Sequence, residues 1–131
     1  MKPLPAALAA TPSLDRWIRL TGDGSVIAST GKVEIGQGIL TALGTIVAEE
    51  LDVAGGRVQV VSAHTGHTPN EGVTAGSMSI ETSGAALRQA SAWARRLLLQ
   101  RAAARLALAA DSLTVADGEL GGEGVNEPLT Y

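Results

Sequence analysis

Apolar residues recur at two different periods along the chain, and the changes of period mark its elements. Residues 1–15 carry prolines at 3, 5 and 12 and no sustained periodicity, so they read as an irregular N-terminal arm. Two β-prone runs follow, Trp17–Thr21 and Ser25–Thr30, separated by Gly22-Asp23-Gly24. An Asp-Gly turn between such runs predicts a hairpin. Ile39, Leu40, Leu43, Ile46, Val47 and Leu51 are three and four apart, which predicts an amphipathic helix over about 39–52. Gly55-Gly56 ends that segment, and Arg57-Val-Gln-Val-Val reads as a short strand. Residues 62–79 have no clear period and are expected to form a long polar loop, a length usually reserved for function or motion. An Ala/Leu/Arg-rich helix is expected over about 82–109, since Ala is the strongest helix former. Leu113-Thr-Val, Glu119-Leu and the stretch near Leu129 are strand candidates. The order predicts an α+β fold over residues 16–131: one domain with a small mixed sheet, an N-terminal hairpin and two main helices.

Composition makes that domain lean. Of 131 residues, 45% are hydrophobic but only 2% aromatic, so the core must be built from Ala, Leu, Val and Ile. Such small side chains each bury little area at roughly 25 cal/mol per Å². A domain of this make-up gains from covering a face with something else, either a partner segment or a second copy of itself. Trp17 and Trp93 are expected in the core. The absence of Cys removes disulfides, thiolate metal sites and cysteine-ligated clusters from this chain. A net charge of -3 argues against nucleic acid as a partner. No apolar run reaches the ~20 residues of a membrane span. The N-terminal apolar stretch is broken by Pro3 and Pro5 and makes a poor signal peptide. A soluble, cytoplasmic chain is expected, with the periplasm as the alternative.

Four constellations could carry chemistry. Gly36-Gln37-Gly38 stands at the mouth of the first helix, where unpaired N–H groups and the helix dipole attract anions or oxo groups. An ordinary glycine turn is the plain alternative. Thr74-Ala75-Gly76-Ser77, followed by Ser79, Thr82 and Ser83, precedes the second helix; such hydroxyls and a glycine at a helix start suit an anionic group, while Thr82 or Ser83 is expected to serve as the N-cap. His64 and His67 lack a third ligand of suitable spacing and read as surface residues, so no metal site is assigned. Arg88, Arg95, Arg96, Arg101 and Arg105 give the long helix a basic face, which could bind anions or pair with acids of a partner surface, or simply be solvated. Glu49, Glu50 and Asp52 sit at the C-terminal end of the first helix, where the dipole disfavours them, so a nearby cation or a partner is expected to compensate. No catalytic residue emerges from spacing alone.

Read in order, Trp17-Ile-Arg-Leu, Gly31-Lys-Val-Glu-Ile-Gly-Gln-Gly, Ala48-Glu-Glu-Leu, Thr68-Pro-Asn-Glu-Gly and Thr74-Ala-Gly-Ser resemble the molybdenum hydroxylases. This is the xanthine dehydrogenase/aldehyde oxidase family, and the likeness is to the N-terminal part of its molybdopterin-binding large subunit, nicotinate dehydrogenase and isoquinoline oxidoreductase type. The resemblance implies part of a cofactor-binding domain, with molybdopterin and molybdenum as cofactor, in the cytosine dinucleotide form. It implies cofactor contacts from Gly36, Gln37, Gly38, Thr74, Ala75, Gly76, Ser77 and Ser79. It also implies a water-dependent hydroxylation of an N-heterocycle or aldehyde. The partners implied are further large-subunit segments and an iron–sulfur subunit. The glutamate that serves the family as base matches no residue here, so the chain is expected to be catalytically incomplete alone. The alternative is a cofactor-free homologue that self-associates as a structural domain.

Overall fold

In a computed structural model describing residues 3–131, the hairpin forms as expected, from β1 (Ile18–Leu20) and β2 (Val26–Thr30). The Asp23 carboxylate closes the turn by accepting from the Thr21 hydroxyl at 2.6 Å and the Ser25 N–H at 3.0 Å. The chain then passes through α2 (Ile39–Leu51) to β3 (Val58–Ser62), which pairs parallel to β2 with Val26 opposite Val58. The result is a three-stranded mixed sheet in the order β1-β2-β3, with β1 antiparallel to β2.

The arm is not irregular. Residues Ala6–Ala10 form a short helix, α1, and Leu8 is completely buried among the core residues Trp17, Leu43, Leu51 and Leu87. The indole N–H of Trp17 donates to the Thr11 carbonyl at 2.7 Å and anchors the segment. A five-residue helix has no stability of its own, so burial of one leucine and this bond hold what Pro3, Pro5 and Pro12 suggested would wander.

The long helix begins with a π-helical turn, Ile80–Gly84, and continues as α3 (Ala85–Leu106) packed against α2. The expected hydroxyl cap at its start does not form. Instead the Thr82 hydroxyl donates back to the Met78 carbonyl, and Ser83 is fully buried with its hydroxyl on Thr30 and Glu71. The wide turn carries those side chains away from the helix-end N–H groups. The helix also stops at Leu106, earlier than expected, where Ala107 takes a left-handed conformation. The basic face meets the acidic end of α2: Arg88 lies 3.2 Å from Glu50, and Arg95 lies 3.7 Å from Asp52. The cation required by the helix dipole is thus supplied from within the chain, by at least two of the five arginines.

The C-terminal strands make a second sheet of their own. β4 (Thr114–Ala116), β5 (Glu119–Gly121) and β6 (Leu129–Thr130) are antiparallel in that order. They cover Ala102 and Ala103 of α3 with Leu113, Val115 and Leu120. This lesser core is joined to the main one by the Tyr131 hydroxyl, which donates to the Leu51 carbonyl at 2.8 Å, and by the Arg57–Asp117 ion pair. Among the described residues, no helix is long and apolar enough to cross a membrane.

Candidate functional site

The loop before α2 and the loop before α3 converge. Gln37, Gly38, Thr74, Ala75, Gly76, Ser77 and Ser79 line one open cleft of about 400 Å³, with Ile35, Ile39, Ala42 and Ile80 as its apolar wall. Seven of the eight residues singled out in the sequence are therefore brought together, and Gly36 lies just outside the lining. Gly38 has φ +76°, and a side chain there would project into open space, so the backbone itself forms the surface.

The helix mouth is not vacant of acceptors. The Glu34 carboxylate reaches forward and takes the N–H groups of Gly36 at 2.9 Å, Gly38 at 2.8 Å and Leu40 at 3.1 Å. The N–H groups of Leu40 and Gly38 hold its carboxyl below the usual carboxylate range. The expectation of unpaired donors at this mouth is thus corrected: the chain supplies its own anion. Gln37 is held too. Its side-chain oxygen accepts from the Ile35 N–H at 2.6 Å, and its amide nitrogen donates to the Val33 carbonyl at 2.9 Å. One N–H and one lone pair of that amide stay available.

What fixes the two loops to each other centres on Lys32 and Glu71, which lie within the segments that carry the resemblance but were assigned no role in the sequence. Glu71 accepts at one carboxylate oxygen from the Thr30 hydroxyl at 2.9 Å, the Gly31 N–H at 2.8 Å and the Ser83 hydroxyl at 3.0 Å. Lys32 is only 4% exposed, and its ammonium donates to the Glu71 and Val73 carbonyls, each at 3.0 Å. The Val33 N–H donates to the Thr74 hydroxyl at 2.9 Å, completing the brace. The available signal was a polar loop of some eighteen residues: its backbone groups needed partners, and Lys32 and Glu71 were charges within reach of them.

Exposed apolar residues surround the cleft. Ile35 and Val73 are each 81% exposed, and Val33, Met78 and Ile80 are a little under half exposed. His64 and His67 are exposed and meet edge to face, with ring centroids 4.6 Å apart. Among the described residues, no group of three or more potential His, Asp or Glu ligands gathers.

Comparison with known proteins gives this arrangement its context. A family model described as the molybdopterin cofactor-binding domain matches residues 4–129. A nicotinate dehydrogenase subunit of Pseudomonas putida is 41% identical over 119 residues, covering 87% of this chain and 10% of that protein. The beta subunit of isoquinoline 1-oxidoreductase from Brevundimonas diminuta is 38% identical over 127 residues, covering 87% of this chain and 15% of the relative. Among solved structures, the reconstituted CO dehydrogenase of Oligotropha carboxidovorans superposes with a TM-score of 0.75 at 29% identity, over 86% of this chain and 14% of that one. Quinoline 2-oxidoreductase from Pseudomonas putida 86 shares the fold, with a TM-score of 0.71 at 22% identity. The chain thus spans between a tenth and a sixth of the length of these relatives, two of which are named as subunits. With the match running almost end to end, the chain belongs to the molybdopterin cofactor-binding domain family.

Proposed function

We propose that this chain forms one wall of a molybdopterin site in an oxidoreductase that hydroxylates an N-heterocycle or an aldehyde with water as the oxygen source. The observation that carries the reading is the convergence of Gln37-Gly38 with Thr74–Ser77 and Ser79 on one cleft. The donor set fits a cofactor rich in hydrogen-bonding heteroatoms: a spare Gln37 N–H, the hydroxyls of Ser77 and Ser79, and backbone exposed at glycine. A bound molybdopterin, in the dinucleotide form implied by the resemblance, would supply the two-electron acceptor for the oxidation. Gln37, Gly38, Thr74–Ser77 and Ser79 would hold it, with Gly36 shaping the turn. Ile35, Ile39, Ala42 and Ile80 would exclude water from its face.

The carboxylates beside the cleft are committed elsewhere. Glu34 is bonded to three backbone N–H groups, and Glu71 to the Thr30, Gly31 and Ser83 donors. Glu71 is engaged through one oxygen only, its other oxygen being buried without a partner, and by the resemblance the proton-accepting glutamate is carried by polypeptide beyond this chain. Further large-subunit segments and an iron–sulfur subunit are the proposed partners, and the exposed rim of Val33, Ile35, Val73, Met78 and Ile80 is where protein would cover the cleft.

Molybdenum and pterin analysis tests this reading, on protein purified from a molybdenum-replete host together with the polypeptides encoded beside it. Stoichiometric metal and pterin are expected, and Gln37→Ala should lower both while shifting the urea midpoint only slightly, since the two bonds it loses are in an exposed loop. Absence of pterin from the wild-type complex would sink the proposal. The apolar rim also favours a second reading, a cofactor-free domain that pairs with its own copy. That reading requires a mass that doubles with concentration in sedimentation, and no bound pterin.

A further inference from the structure

The electrostatics of the cleft are set by one residue outside its lining. Helix α2 offers its first N–H groups and its positive end to the mouth, which would ordinarily favour phosphate or another anion. Glu34 places a full negative charge at that mouth, bonded to the Leu40 N–H in the first turn and to the Gly36 and Gly38 N–H groups just before it. Nothing nearby reverses the sign. Among the described residues, no Lys or Arg lines the cleft, and the Lys32 ammonium is turned away onto the Glu71 and Val73 carbonyls. The same short loop carries Gln37, whose amide is clamped at both ends by Ile35 and Val33. Ile35 and Gly36 lie between the carboxylate and that amide in sequence, so the Glu34 bonds fix the turn from which Gln37 projects.

We propose that Glu34 is a positioning and specificity residue of the cleft: by placing its carboxylate at the N-terminus of α2 it excludes anions there and holds Gln37 as the presented group. The α2 end of the cleft then accepts an uncharged, hydrogen-bonding edge of a ligand. Phosphates of that ligand lie elsewhere. This rests on the cleft being a ligand site, and it deepens that reading by assigning the chemistry that one end selects.

The test needs no cofactor. The full chain, labelled with ¹⁵N, is titrated with inorganic phosphate at pH 7 and constant ionic strength, following the backbone amides of Gly36, Gly38 and Leu40 and the side-chain amide of Gln37. In the wild type no saturable shift is expected at those positions. Glu34→Ala frees the donors, and its phosphate association there should rise on the order of tenfold or more. Its Gln37 side-chain amide protons should move toward free-glutamine positions even without phosphate. Glu34→Gln keeps the shape and removes the charge, so it covers the case in which the alanine variant fails to fold, and its phosphate response should rise in the same direction. Saturable phosphate binding by the wild type at these amides overturns the proposal. So does an unchanged phosphate response in a folded Glu34 variant, or a Gln37 amide that ignores the loss of the carboxylate in Glu34→Ala. Failure of pterin to bind the assembled complex would refute the cofactor reading and leave these titrations as they stand.

Discussion

Gly31 is where the two halves of the site touch, and replacing it with Ala should separate them. Its φ lies outside the left-handed region, so alanine can adopt the backbone conformation and the whole cost comes from space. An added methyl carbon would overlap the Pro69 carbonyl oxygen and would lie 2.9 Å from the Glu71 nitrogen and 3.1 Å from the Glu71 Cβ. The obstructing atoms are mostly backbone and cannot swing aside. Ordinary contacts near ~3.5 Å require the chain to withdraw by about 1 Å at the Pro69 carbonyl and about 0.6 Å at the Glu71 nitrogen. That movement stretches the 2.8 Å bond from the Gly31 N–H to the Glu71 carboxylate. Overpacking typically costs about 1–3 kcal/mol, and weakening a bond to a charged acceptor about 1.5–3 kcal/mol when it is lost. The two overlap, because relief of the first causes the second, and a net loss of about 2–4 kcal/mol is expected. Against a total of roughly 5–15 kcal/mol the variant should still fold. Urea unfolding followed by tryptophan fluorescence measures the change, read from the midpoint with an unchanged slope. Gly55→Ala is the control: its methyl meets open space, so it should be neutral or more stable by about 0.4–1 kcal/mol. A Gly31→Ala variant as stable as that control would refute the close-approach argument.

Three further expectations follow from single side chains. Ser91 is completely buried with an unpartnered hydroxyl, so Ser91→Ala should stabilise the chain by roughly 0.5–2 kcal/mol, and a loss would mean that the hydroxyl has a partner. The Thr21 hydroxyl and then the Ser25 N–H lower the Asp23 carboxyl from 3.8 to about 2. A depressed acid stabilises the fold above its unfolded value and loses that contribution as pH falls from 3.8 toward 2, so Asp23→Asn should lower the urea midpoint at pH 7 but hardly at pH 2. Burial raises the Tyr131 hydroxyl to about 12 from 10.0, with Arg95 opposing and Asp52 assisting more weakly. Its contribution is full below pH 10 and lost as pH rises toward 12. Because Tyr131 is the sole tyrosine, phenolate absorbance should show a midpoint near 12 when folded and near 10 in urea. A folded midpoint near 10 would place the ring in solvent, and Tyr131→Phe should cost about 1 kcal/mol through the Leu51 bond.

Residues that act within a few positions of themselves were legible, and those that act across the chain were not. The 3.6-residue period of Ile39, Leu43, Val47 and Leu51 located α2 because those residues form its buried face. The Asp23 turn was legible for a similar reason, its bonds reaching only two residues either way. Leu8 and Trp17 could be recognised as apolar, but their mutual burial, which turns the arm into a helix, depends on α3 closing over them. The hydroxyls of Thr82 and Ser83 misled because the helix opens with a wide turn that no propensity announces. Capping logic therefore assigned them to the helix end, when Ser83 serves Glu71 and Thr30 instead.

The site divides along the same line. Each mouth could be found alone, as a glycine-bearing segment before a helix, and the resemblance placed both in one family. Their meeting depends on bonds between residues some forty positions apart, from Glu71 to Thr30 and Gly31 and from Lys32 to the Glu71 and Val73 carbonyls. By contrast, Glu34 is only two to six residues from the N–H groups it fills, so its occupation of the mouth was within reach of sequence reasoning. A helix N-terminus is an open anion site only if the preceding loop carries no carboxylate able to fill it, and here the loop does. That condition changes the chemistry proposed for this mouth from an anion trap to an end that turns anions away. It can be checked in any Glu-x-Gly-x-Gly segment that leads into a helix.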